Sequence, residues 1–263
     1  IGVSRGLGDV YKRQIYVSRM LTNKKEDIKD FKKGLIPILW PVALICGLIL
    51  PADFSTAAML FTVCFTMMFI GGAKIKHLGS IIGTAFLGFA FLILVNIAVP
   101  GFLPRVDTWE KRMMSFGSGE KQENYQAEMA KRAVANGFLF GKGPGKGHVK
   151  NDLYSAQSDF IYASSIEEFG SIIGGIGLVI LYMILFFRAI RIMNKVDSKF
   201  ASFIVFGLSF MLIFQSFINM GVGVNLFPVT GQPLPLISMG GTSILFTCIS
   251  LGIILNVSTT VYK

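Results

Sequence analysis

Apolar positions gather into six long stretches, near 35 to 50, 55 to 72, 78 to 100, 169 to 187, 200 to 220 and 236 to 257. Most approach the ~20 residues that a helix needs to cross the hydrocarbon core of a bilayer. Their number and spacing argue against core helices of a large soluble protein. Ile15 to Thr22 reads as the tail of one further helix, because it is apolar and leads straight into a lysine cluster. The pattern predicts an all-α integral membrane protein with six full transmembrane helices plus the tail of a seventh.

Composition agrees: 52% of the 263 residues are hydrophobic and 15% charged, too apolar for an ordinary soluble domain. Cys46, Cys64 and Cys248 sit singly inside apolar runs, so they build neither a disulfide framework nor a metal-ligand spacing. Residues 1–14 are set aside, since Ser4 to Gln14 (SRGLGDVYKRQ) looks like the translation of a sequencing-library adaptor. That stretch carries Arg5, Lys12 and Arg13 against Asp9, so its removal takes the formal charge of +10 down by two. The expected organisation is a truncated membrane domain over 15–258 and a cytoplasmic tail at 259–263.

Basic residues flanking helices stay preferentially in the cytoplasm. Lys24, Lys25, Lys29, Lys32 and Lys33 mark one such loop, Lys74 and Lys76 a second, and Arg188, Arg191, Lys195 and Lys199 a third. The short connections near Pro51 to Phe54 and Gly221 to Pro235 hold no basic residue. This alternation puts the C-terminus inside and the long segment 101–158 outside. That segment has nine basic residues against six acidic ones, a mixture that fits a solvated surface as well as a functional one.

Four clusters carry candidate chemistry. The run from Gly141 to Lys150 interleaves glycines with Lys142, Lys146 and Lys150, suited to holding phosphate through backbone N–H groups and ammonium charge; a flexible linker is the plainer reading. It lacks the GxxxxGK[ST] spacing of a nucleotide P-loop. Ser158 and Asp159 follow, where polar sequence meets apolar helix. Desolvation and nearby lysines act on the carboxylate's proton affinity in opposite directions, so Asp159 can remain ionised yet take a proton from a sugar hydroxyl; it can equally cap the helix. Glu167 and Glu168 lie two turns further on, at a depth where acids are turned toward a partner or a wet cavity. Structural support is the favoured role for that pair, through Asn219, Arg188 or another polar group, with Glu167 also able to line a substrate pocket. In Pro228 to Ser243 three prolines forbid a continuous helix, and the segment is expected to form a re-entrant cap on the outer face near Asp159, with Thr230 and Ser238 lining it.

Together these residues resemble the SEDS (shape, elongation, division and sporulation) family, and its division branch more than its elongation branch. The resemblance runs from about Ile15 to Ser258. It rests on Phe31-Lys32-Lys33-Gly34, Pro51 to Ala57, Phe69-Ile70-Gly71-Gly72, the glycine run, Ser158-Asp159-Phe160 with Glu167-Glu168-Phe169-Gly170, Asn219-Met220-Gly221-Val222, and Pro228 to Ser243. It implies a ten-helix fold whose first three helices and most of the fourth lie upstream of this sequence. The implied activity is a peptidoglycan glycosyltransferase that joins lipid II units in the bacterial cytoplasmic membrane during cell division. The implied partners are a class B penicillin-binding protein, other division proteins and membrane lipids; nucleic acid is not among them. The family's catalytic aspartate falls on Asp159 and its motif lysine on Lys150. The chain departs from the family at Lys146-Gly147, where Asn-Ser is common, and at Tyr154 to Gln157, where Pro-Glu-Ala-His is common.

The expected mechanism has Asp159 as general base, with Lys142, Lys146 and Lys150 facing a departing pyrophosphate and a divalent cation, Mg or Mn, as an optional helper. Two rival readings remain: a flippase for the lipid-linked precursor, which the deep acids also permit, and a non-catalytic scaffold for the division machinery.

Overall fold

The structure, a computed structural model, describes residues 2–50, 53–98, 124–147 and 157–261. Among these residues all regular structure is helical, as a lipid-embedded chain requires: without water, each backbone N–H and C=O must be satisfied within its own helix. The helices are α1 (Gly2–Asn23), α2 (Ile36–Ile49), α3 (Phe54–Ile70), α4 (Ile75–Ala98), α5 (Asn124–Gly137), α6 (Ile161–Gly170), α7 (Leu178–Lys195), α8 (Lys199–Gly223) and α9 (Gly241–Val261). A π-helical stretch, Phe31–Leu35, leads into α2, and another, Ser171–Gly177, joins α6 to α7. Five continuous helical spans are long and apolar enough to cross a membrane: Phe31–Ile49, Ile75–Val95, Ile161–Lys195, Lys199–Gly223 and Gly241–Val261; Phe54–Ile70 is a shorter apolar helix. The six predicted stretches are all present as helices.

Three boundaries differ from expectation. The fourth stretch begins at Ile161 rather than near 169, because Ser164, Glu167 and their neighbours turn polar groups inward and lower the local hydropathy without ending the helix. A helix over Asn124–Gly137 stands where only a charged connection was expected. α1 continues upstream of Ile15 to Gly2, with Val10 and Gln14 buried.

The chain divides into two compact units. One comprises Ile1–Glu110, Ile192–Leu208 and Val257–Lys263. Here α3 contributes the densest core, with Met59, Leu60, Val63, Cys64, Met67 and Met68 all buried. Asp53 caps that helix, its carboxylate accepting from Thr56 N at 3.2 Å and Thr56 Oγ1 at 2.5 Å, as an N-cap acid does for the orphan donors of a first turn. Gly34 is required by closeness: a Cβ there would stand 2.2 Å from the Asp27 carbonyl oxygen. Arg19 lies 5.6 Å over the ring of Phe200, a cation–π contact that keeps the charge at the edge of an apolar surface.

The other unit comprises Lys111–Arg191 and Ser209–Asn256 and holds the candidate chemistry. Helix α5 lays Met129, Ala130 and Ala133 against Phe160, Ala163 and Val222. Their 1–4–5 spacing is a helical stripe. A second cluster joins Tyr162, Ile166 and Tyr182 to Ile213, Met220 and Leu234, so the helices on either side of residue 159 and the proline loop share one core.

Candidate functional site

Asp159 lies in the turn Gln157–Phe160 that opens α6, half-buried, and Phe160 behind it has no exposed surface. What fixes the turn comes from the far end of the sequence. Asn219, 1% exposed on α8, donates through Nδ2 to the Asp159 carbonyl at 2.9 Å and to the Gln232 carbonyl at 2.7 Å. One amide therefore ties the Asp159 turn to the proline loop. Ser238 makes the second tie: its Oγ donates to the Ser158 carbonyl at 2.6 Å and accepts from Leu234 N at 2.7 Å. A third is Met239 N to the Gln157 carbonyl at 2.9 Å.

The proline loop, 224–240, is itself held by side chains. Prolines cannot donate, and a buried irregular backbone leaves carbonyls that need donors. Gln215, one turn before Asn219 on α8, donates to the Pro233 carbonyl at 2.8 Å, and the Tyr182 hydroxyl donates to the Pro235 carbonyl. Gly231 takes a left-handed φ of +70°, and a Cβ on it would lie 3.9 Å from Asp159 Oδ2, so the carboxylate sits beside bare backbone. Among the described residues, the buried oxygens Asn219 Oδ1 and Thr230 Oγ1 have no hydrogen-bond partner. In a well-satisfied interior such atoms call for explanation.

The glycine segment is built differently. It runs against the end of α6 with backbone touching backbone: Lys142 N and Gly143 N donate to the Glu167 and Glu168 carbonyls, each at 2.9 Å, and Ser171 N returns to the Phe138 carbonyl at 2.8 Å. A Cβ on Gly137 would stand 2.0 Å from the Ile166 carbonyl oxygen, and one on Gly170 2.3 Å from that of Leu139. Gly141, Gly143, Gly145 and Gly170 all take left-handed φ. Glu167 is fully buried at this seam, with Oε1 3.6 Å from Lys142 Nζ and accepting from Asn136 Nδ2 at 3.3 Å. Gly147 makes room for its other oxygen, since a Cβ there would lie 2.9 Å from Glu167 Oε2.

The chain matches the FtsW/RodA/SpoVE family, described as "Cell cycle protein", over residues 13–263. It belongs to that family. Among curated proteins it is 33% identical to stage V sporulation protein E of Bacillus subtilis, covering 92% of this chain and 65% of that protein. It is 32% identical to "Probable peptidoglycan glycosyltransferase FtsW" of Geobacter metallireducens, covering 93% and 64%. The chain thus spans slightly under two thirds of these FtsW/RodA/SpoVE relatives. Among solved structures it resembles a chain of a peptidoglycan synthase complex, with a TM-score of 0.69, 24% identity, and 95% and 68% coverage. It also resembles the rod shape determining protein RodA of Thermus thermophilus, with a TM-score of 0.55, 22% identity, and 95% and 66% coverage. These neighbours share the fold, and with the membrane-length helices they make the chain a multi-pass membrane protein of a bacterial family.

Within this FtsW/RodA/SpoVE fold the predicted residues separate into two groups. Ser158, Asp159, Thr230 and Ser238 come together where the proline loop meets α6, although Ser238 is spent on backbone bonds and only 2% exposed. Glu167 and Lys142 pair at the glycine seam, while Lys146 is exposed on it. The partners expected for Glu167 were Asn219 or Arg188; those found are Lys142 and Asn136, because the glycine segment, not α8, closes over that face. Its carboxylate has no exposed surface to offer a substrate, so it acts here as a fastening. Lys150 lies outside the described residues, as does much of 101–158. Sequence reasoning passed over Gln215 and Tyr182, and over Asn219 as the holder of residue 159. The four-residue spacing of Gln215 and Asn219 on an otherwise apolar helix was the available signal. Among the described residues no three His, Cys, Asp or Glu side chains gather as a metal site, so no step is routed through a cation.

Proposed function

We propose that this protein polymerises lipid II into peptidoglycan strands, with Asp159 as the general base. The acceptor sugar's 4-hydroxyl gives its proton to the Asp159 carboxylate as its oxygen bonds to the anomeric carbon of the donor. The bond from that carbon to the pyrophosphate breaks, and the polyprenyl pyrophosphate leaves with the electron pair. A single base opposite the leaving group suffices for inversion. Lys146 supplies exposed positive charge on the glycine segment. Lys142 already neutralises Glu167 and contributes less.

One observation carries this reading. Asp159 sits in a turn clamped through the carbonyls of Gln157, Ser158 and Asp159 itself, which leaves the carboxylate positioned against the backbone of Gly231. Preorganisation of that kind is what a base needs and a surface cap does not. The relatives' printed names support the glycosyltransferase class, and the neighbour drawn from a peptidoglycan synthase complex supports a crosslinking partner, which we take to be a class B penicillin-binding protein. The reaction would face the outer surface of the bacterial cytoplasmic membrane, at the site of division.

The test is glycan synthesis by the full-length protein with its partner synthase and lipid II in detergent. Wild type should form long strands and Asp159→Asn none, while still binding the partner. Strands from Asp159→Asn at the wild-type rate would remove the base. Movement of lipid II across vesicles without polymer would favour transport instead.

A further inference from the structure

The glycine seam ends in an apolar tip that faces away from the protein. Phe138 and Phe140 are 74% and 81% exposed, with Leu139 between them nearly half exposed. Phe138 also holds a left-handed φ of +43°, although it is no glycine. The first position beyond a helix ordinarily takes glycine for that conformation, and a strained non-glycine backbone persists only where its surroundings over-determine it. Here they do: Ser171 N binds the Phe138 carbonyl at 2.8 Å and Ile172 N the Leu139 carbonyl at 3.4 Å. Gly170 packs so closely that a Cβ on it would stand 2.6 Å from the Phe140 carbonyl carbon.

That lacing sets the depth of the tip. Arg188 is the first charged residue at the far end of the span Ile161–Lys195. A hydrocarbon core about 30 Å thick takes about twenty residues of helix, and twenty residues counted back from Phe187 reach Glu168. The edge of the hydrocarbon therefore falls at the residues to which the tip is laced. Ile172 and Ile173 just beyond are themselves exposed, as lipid-facing positions of a membrane helix are. Lys142 and Lys146 follow the tip directly, as cations do at a headgroup level.

We infer that Phe138 and Phe140 insert into the acyl chains of the outer leaflet, so that the glycine segment is a membrane-anchored re-entrant element rather than an aqueous loop. The lipid-facing surface of the span then continues onto the tip. Aromatic side chains at the boundary bury a large apolar area with few torsions to fix, while the lysines meet anionic headgroups. This holds whether or not the protein is a glycosyltransferase.

The test uses the full-length protein with Trp40→Phe and Trp109→Phe, carrying Phe140→Trp as reporter, reconstituted in phosphatidylethanolamine–phosphatidylglycerol bilayers. Phe138→Trp is the second reporter. Both replace exposed aromatic side chains with another. The expected result is blue-shifted emission, lost when the acyl chains carry bromine and unaffected by aqueous iodide. Quenching by iodide with red-shifted emission would place the tip in water and overturn the inference. Emission quenched by neither agent would show a protein surface covering the tip, which also overturns it.

Discussion

The proline loop at 224–240 is fastened by side chains, with Asn219, Gln215, Ser238 and Tyr182 reaching its neighbourhood's carbonyls. The glycine segment at 137–147 is fastened to α6 by its own backbone, through positions where a side chain has no room. Both are irregular stretches beside membrane-length helices, and both must satisfy polar backbone without relying on water. The first does so by importing donors into a proline-rich strand of chain. The second brings two backbones within reach of each other by deleting side chains. The loop should tolerate changes of its own residues provided the reaching side chains remain, whereas the glycine segment should tolerate almost none.

Gly170→Ala puts the contrast under the greatest load. The added Cβ combines a left-handed φ with a 2.3 Å approach to the Leu139 carbonyl oxygen, a loss of about 3 kcal/mol or more. It should abolish cooperative thermal unfolding of the purified protein in detergent. A cooperative transition within a few degrees of wild type would show that the seam is looser than its contacts imply. Asn219→Ala comes next: it strands the Asp159 and Gln232 carbonyls, for about 2–3 kcal/mol. The same variant should lower glycan synthesis more than stability accounts for, because the turn holding the base is released. Activity that falls only in step with Tm would reduce Asn219 to a packing residue.

Lys142→Met removes the cation from a buried Glu167, but the lysine is about a third exposed and Asn136 remains, so about 1–2 kcal/mol is expected. Adding Glu167→Gln should restore part of it, measured as the coupling in a double-mutant cycle. At the bottom of the scale is Arg132→Ala on α5, whose pair with Glu128 is exposed on both sides. Within ~0.5 kcal/mol of wild type is expected by chemical denaturation. A larger loss would mean that α5 is held by its charged face rather than by Met129, Ala130 and Ala133.

The membrane helices were legible because a long apolar run has few alternatives in any structure. Asp53 was read without a role, yet its capping of α3 follows from an Asp-x-x-Thr spacing visible beforehand. α5 was not legible, since its buried stripe is mostly alanine among charges, with too little contrast for a periodic signal. Asp159 and the proline loop were expected to lie near each other, and they do. The amide that joins them was not foreseen, because a single sequence does not say which face of α8 turns toward residue 159. The seam at Glu167 escaped for a related reason: glycines report that a backbone comes close, but not which one.

The π-helical stretch Ser171–Gly177 sets the rotational phase of everything after it. A π turn holds one residue more than an α turn, and each residue of α-helix rotates the chain by about 100°. Deleting one residue there would let the turn relax to ordinary α geometry and swing α7 round its own axis by that angle. Tyr182 would turn from the Pro235 carbonyl toward lipid, and the far anchor of the proline loop would be undone from some distance along the chain.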